Sequence, residues 1–212
     1  MSVQTVVFDF GNVLGFFSHA TAARQLAAYS RSSAQSITSY LFGGKLEDDY
    51  ETGKISTAAL TALVREAFQL TCTDEKFAAA LGDMFRPNES VCDLVPRLKP
   101  RHRLFLLSNT NEIHARQFRR QFAATLEWFD GLVLSFEVGL RKPDPGIFQL
   151  CQQRAGCAPA ECLFIDDLPT NVEAARACGW QGIVYHPNDD LRSELAAFGV
   201  EMSDPSRKGK RP

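Results

Sequence analysis

The chain has 212 residues, 45% of them hydrophobic, and its 23 Lys and Arg against 25 Asp and Glu give a formal net charge of −2. This length supports one substantial core, or a core with a smaller companion, and the balance of charge leaves no broad basic field to bind nucleic acid. No apolar run approaches the roughly 20 residues that span a bilayer. The first ten residues lack the charged start and cleavage site of a signal peptide, so a cytoplasmic location is expected. The six cysteines form no Cys-x-x-Cys pair and no zinc spacing, and in that compartment they are expected as reduced thiols.

In chain order, the first predicted element is the apolar run Val6-Val7-Phe8, which delivers Asp9 to a turn bearing Gly11. Such a run reads as a strand buried on both faces of a parallel sheet. From about 18 to 85 the pattern is helical. Residues 21–29 are rich in good helix formers, and Ser56 precedes a helix over 57–68 with Leu60, Leu63, Val64, Ala67 and Phe68 on one face. Thr73 caps a further helix that carries Asp74 and Glu75 in its first turn. After 86–88 the texture becomes strand, turn, helix, repeated. Strands are predicted at 104–107, 131–134, 162–165 and 182–185, and a helix starts at Asp144-Pro145. Alternation of this kind implies an α/β fold, a doubly wound parallel sheet with right-handed crossovers. The expected organisation is a core over 1–15 and 87–202, an inserted all-helical cap over 16–86, and a flexible basic tail over 203–212.

Asp9, Ser108, Lys142 and Asp166-Asp167 each follow a predicted strand. The carboxyl ends of parallel strands lie together, so these residues are expected to converge on one crevice. Three carboxylates in one place repel unless a cation or a lysine sits among them. Oxygen donors with no His or Cys nearby favour Mg²⁺. With Lys142 and the Ser108 hydroxyl, the set would bind a phosphoryl group and leave Asp9 free to attack it. Taken singly, each residue has a plainer reading: Asp9 as a turn residue, Ser108-Asn109 as a helix cap, Lys142 as a solvated charge, Asp166-Asp167 as turn and cap.

Four segments in this order resemble the motifs of the haloacid dehalogenase-like superfamily of hydrolases: Phe8-Asp9-Phe10-Gly11-Asn12-Val13, Leu106-Leu107-Ser108-Asn109, Arg141-Lys142-Pro143, and Phe164-Ile165-Asp166-Asp167 with Asn171. Phe-Asp-Phe-Gly-Asn-Val, Leu-Ser-Asn-Thr-Asn and Arg-Lys-Pro together are most similar to the glucose-1-phosphate phosphatase-like branch. The resemblance implies Asp9 as nucleophile and Mg²⁺ ligand, with the Gly11 carbonyl as a second ligand. It implies Asp167 as a direct ligand and Asp166 holding a metal-bound water or pairing with Lys142, or the reverse. Ser108, Lys142 and the N–H groups near Phe10, Gly11 and Asn109 would hold the phosphoryl oxygens. In the cap, Phe16, Phe17, Lys45 and Tyr50 are the substrate-contact candidates.

One position departs from the superfamily's usual pattern. Most of its phosphatases carry a second aspartate two residues after the nucleophile, as general acid and base, and this chain has Gly11 there. General acid–base catalysis contributes about 10²–10⁴-fold, so slow turnover or restriction to good leaving groups is expected. His19 is a candidate substitute, although a lone histidine on a helix more often lies at the surface. The expected function is a Mg²⁺-dependent phosphatase of a small phosphorylated metabolite, acting through an aspartyl-phosphate. Two alternatives stand beside it: a metal-independent 2-haloacid dehalogenase, whose family also lacks the second aspartate, and a non-catalytic binding or regulatory domain.

Overall fold

The computed structural model describes residues 2–203; the expected tail at 203–212 lies outside them apart from Ser203. In chain order the elements are β1 (Thr5–Phe8), β2 (Gly15–Phe17), α1 (His19–Ala27), α2 (Ala34–Leu41), α3 (Lys45–Glu51), α4 (Thr57–Phe68), α5 (Asp74–Gly82) and β3 (Phe85–Pro87). There follow α6 (Glu89–Cys92), α7 (Val95–Leu98), β4 (Arg103–Ser108), α8 (Glu112–Gln121), α9 (Ala123–Leu126), β5 (Gly131–Leu134) and α10 (Ser135–Val138). The chain continues through α11 (Pro145–Ala155), β6 (Cys162–Asp166), α12 (Pro169–Ala177), β7 (Gln181–Val184) and α13 (Leu191–Ala197).

Five strands form one sheet in the order β5-β4-β1-β6-β7, every neighbouring pair parallel. All four residues of β1 are buried, which is why this strand takes the centre: a run without a polar face has no side to give to water. Successive residues serve opposite layers. Val6 and Phe8 join Leu104, Leu106, Leu163 and Ile165 on one face, and Val7 joins Phe105, Leu107, Phe148, Phe164 and Trp180 on the other. The first of these cores runs on without a break into the inserted helices through Leu26, Val64 and Phe77.

The insertion stands on a two-stranded antiparallel stem, β2 paired with β3, with Phe16 opposite Arg86. The strand at Phe85–Pro87 falls where the sequence pattern shows only the end of a helical stretch. Three residues ending in proline carry no periodicity of their own, and β2 supplies the partner. The helix caps follow the sequence: the hydroxyls of Ser56 and Thr73 accept from the N–H groups of Ala59 and Lys76. The buried face of α4 differs from the expected one. Leu60, Thr61 and Val64 are buried, whereas Leu63 is 41% exposed and Ala67 is also exposed. Thr61 tolerates burial because its Oγ1 donates to the carbonyl of Thr57 at 2.8 Å. Among the described residues no helix is long and apolar enough to cross a membrane.

Candidate active site

β1 ends at Phe8, and the chain turns sharply to bring Asp9 over the carboxyl edge of the sheet. Three features hold that turn. The N–H of Asp9 donates to Ile165 O at 2.8 Å. Phe10 drops into the core and stacks on Phe118, ring centroids 4.3 Å apart. Asn12 takes a left-handed conformation at φ 53°, which Asn adopts more readily than most residues, and its Nδ2 reaches Asp167 Oδ2 at 2.8 Å. Gly11 sits beside a ring: a Cβ there would lie 2.9 Å from Phe17 Cε1 and 3.6 Å from Asp9 Oδ2.

The other strand ends converge as the topology requires. β4 closes on Ser108 and β6 on Asp166, both buried. Lys142 enters from farther away than the sequence suggests, because α10 intervenes between β5 and its loop. Two hydrogen bonds to Asn109 fix that loop, from the Lys142 N–H to Oδ1 at 2.8 Å and from Nδ2 to the Lys142 carbonyl at 2.9 Å. Lys142 Nζ thus stands 2.7 Å from Asp9 Oδ1 and 2.6 Å from Asp166 Oδ2. Neither Asn109 nor Ser108 caps the following helix; Asn111 does, its side chain accepting from His114 N–H.

Carboxylate oxygens of Asp9, Asp166 and Asp167 lie within 4.8 Å of one another. Burial pushes the Asp9 carboxyl up to about 7, with Asp166 and Asp167 adding to the push and Lys142 opposing it. Burial also raises Asp167, a shift that the Asn12 hydrogen bond moderates. For Lys142, burial favours loss of the proton, but Asp166 and Asp9 outweigh it and hold the ammonium above its ordinary value. With all four groups ionised, three carboxylates against one ammonium carry a formal charge of −2, which one divalent cation cancels, and an all-oxygen donor set suits Mg²⁺. The two aspartates of the pair differ. Asp166 is fully buried and takes bonds from Lys142, from Asn171 Nδ2 at 3.0 and 3.1 Å, and from the Leu168 N–H at 2.8 Å. Asp167 is half-buried, and among the described residues Asn12 alone donates to its side chain. The N–H groups of Phe10, Gly11 and Asn109 make no hydrogen bond among the described residues.

Beside Gly11 a cavity of about 50 Å³ opens between the sheet edge and the insertion, lined by Phe17, His19, Glu51, Ser108 and His114 among others. Of the four cap candidates only Phe17 lines it. Phe16 faces a separate surface cleft beside Gln25 and Arg86. Lys45 is exposed and pairs with Asp49 one turn on at 2.5 Å. Tyr50 is buried, its hydroxyl 2.8 Å from Thr57 Oγ1. His19 is one-third exposed at its side chain; it stacks flat on Phe42 at 3.9 Å, and burial lowers its imidazole. Sequence reasoning missed Glu51 and His114. Glu51 lies in the acidic run Glu47-Asp48-Asp49-Tyr50-Glu51, which reads as a solvated face, and His114 lies in the polar helix α8.

An α/β sheet that gathers three carboxylates and a serine at the ends of β1, β4 and β6, with a lysine from the loop after α10 among them, defines a hydrolase site built on strand ends. The model of the haloacid dehalogenase-like hydrolases matches residues 3–179, and the chain belongs to that family. It is 24% identical over 202 residues to a D-ribitol-5-phosphate phosphatase of Bacteroides thetaiotaomicron, covering 92% of this chain and 98% of that one. It is 26% identical to a Mycobacterium tuberculosis protein named as a phosphatase, over 94% of this chain and 97% of that one. A family enzyme from Bacteroides thetaiotaomicron, solved with magnesium and inorganic phosphate, superposes with a TM-score of 0.79 at 24% identity over 92% of this chain and 100% of that chain.

Proposed function

We propose that this hydrolase is a Mg²⁺-dependent phosphatase of a small phosphorylated metabolite, with residues 16–86 acting as a cap over the site. The observation that carries the reading is the −2 cluster of Asp9, Asp166, Asp167 and Lys142 beside Ser108 and three unpaired N–H groups. Asp9, Asp167 and the Gly11 carbonyl would hold the cation, which when bound supplies charge neutralisation for the incoming phosphate. Asp166, saturated by its own bonds, positions Lys142 instead. Lys142, Ser108 and the N–H groups of Phe10, Gly11 and Asn109 hold the phosphoryl oxygens. Asp9 attacks phosphorus to give an aspartyl-phosphate, which water then hydrolyses. The relatives named as phosphatases support this reading. Without a cation the same cluster would repel the carboxylate of a 2-haloacid, which disfavours dehalogenation. A role without turnover is disfavoured too, since like charges buried with no task are costly.

The test is hydrolysis of p-nitrophenyl phosphate and a panel of metabolite phosphates, hexose 1-phosphates included, with and without Mg²⁺. Activity is expected to need the metal and to vanish in Asp9→Asn; turnover that persists in chelator overturns the reading.

A further inference from the structure

Position 11 offers no carboxylate, yet a carboxylate does reach the cavity beside it. Glu51 ends α3 and lines the same cavity as Gly11 and Ser108. Its side chain is one-tenth exposed, and among the described residues its Oε2 has no hydrogen bond. Two contacts bring the end of α3 there. Arg141, next to Lys142, pairs with Asp48 and stands 3.0 Å from Glu51 Oε2, without the alignment of a hydrogen bond. Gly53 follows at φ +67°, so close to the core that a Cβ would lie 2.5 Å from the Phe136 carbonyl.

We propose that Glu51 is the general acid and base of this enzyme, delivered from the insertion in place of a carboxylate at position 11. The proposal rests on the phosphatase reading above. In the first half-reaction Asp9 attacks phosphorus, the ester P–O bond breaks, and the leaving oxygen takes the proton of Glu51. In the second, water attacks the phosphorus of the aspartyl-phosphate and gives a proton back to Glu51; the bond to Asp9 breaks, and phosphate departs.

The groups facing Glu51 suit both halves. Burial, then Glu47 on the same helix, pushes its carboxyl up to about 8; Asp9 adds to this and Lys142 opposes it. Arg141 favours the carboxylate left after the proton is given. A group balanced between its two forms near neutrality is what alternating proton transfer requires. Among the described residues two other titratable side chains line the cavity, and neither is an acid at neutral pH. Burial lowers the His19 imidazole, and it pushes His114 down to about 3 while the His114 Nδ1 is held 2.9 Å from Asn111 Nδ2.

The experiment compares wild type with Glu51→Gln, Mg²⁺ present, on p-nitrophenyl phosphate and on the fastest primary alkyl phosphate of the panel. Nitrophenolate leaves without a proton, whereas an alkoxide does not. For the alkyl ester kcat/KM is expected to fall about 10²–10⁴-fold. For the aryl ester the variant is expected to release one nitrophenolate per site at the wild-type rate and then turn over slowly, its aspartyl-phosphate accumulating. An aryl burst slowed as much as the alkyl reaction overturns the proposal, because Glu51 then only shapes the cap. Unchanged rates on both esters overturn it as well, as does a wild type with aryl but no alkyl activity. A wild type no better than Asp9→Asn on any ester overturns the phosphatase reading, and the proposal with it.

Discussion

Lys142 is the side chain on which the candidate site turns, because among the described residues it is the one cation lying between Asp9 and Asp166. Breaking a buried ion pair by removing one partner costs about 3–5 kcal/mol. Lys142→Met is therefore expected to lower stability in metal-free buffer by that order and to abolish hydrolysis; an unchanged melting temperature would contradict the account. Asn12 permits a finer comparison. Asn12→Gly and Asn12→Ala both lose the bond to Asp167, but only alanine is strained at φ 53°. Alanine is expected to be the less stable variant by about 1–2 kcal/mol, read from urea unfolding of the pair. Much of this site is legible in the sequence, since Asp9, Ser108 and Asp166 sit where apolar strands stop and the fold collects strand ends. Glu51 is not. Its burial is set by Gly53 and Arg141 docking α3 on the core, and no pattern within the acidic run signals that contact. Lys45 was the more conspicuous charge, and it faces water.

At the scale of elements, the five strands of the main sheet are legible because each carries an apolar run, whereas β2 and β3 are too short to show a pattern. The weaker points were the short pieces and the orientation of helices. Thr61 takes a buried place that periodicity assigns to Leu63, because a hydroxyl bonded to its own helix can be buried while a leucine at the edge of a narrow face stays out. Helix caps lend themselves to a direct check: Thr73→Ala removes the acceptor for the Lys76 N–H, and a loss of about 1 kcal/mol is expected on thermal unfolding. Gly53→Ala probes the seam between α3 and α10. Its left-handed φ and the nearby Phe136 carbonyl leave no room for a methyl group, so the end of α3 is expected to move off the core. The measured sign should be a drop in kcat/KM for alkyl esters larger than the drop in stability implies.

At the scale of the whole molecule the buried groups pull in opposite directions in acid: the carboxyls of Asp9 and Glu51, held up at about 7 and about 8, add stability as pH falls, whereas His114 removes it. Burial holds its folded-state pKa near 3, against 6.5 when free. Below pH 6.5 the unfolded chain takes up a proton that the folded chain refuses, so this stability is full above that pH and drains away as pH falls towards 3. The slope from this one group is at most about 1.4 kcal/mol per pH unit, and His114→Gln is expected to gain in melting temperature relative to wild type as pH falls from 6.5 to 4. A variant as acid-sensitive as wild type would show that other groups dominate. The place of Glu51 at the end of α3 has a consequence in time. A proton donor fixed to the sheet edge is present however the insertion stands, whereas one borne on α3 would leave the site with any movement of that helix. An aspartyl-phosphate on Asp9 would then outlast any such movement and decay only on the helix's return, so under the proposed role of Glu51 the lifetime of the covalent intermediate would time the movement of the proposed cap.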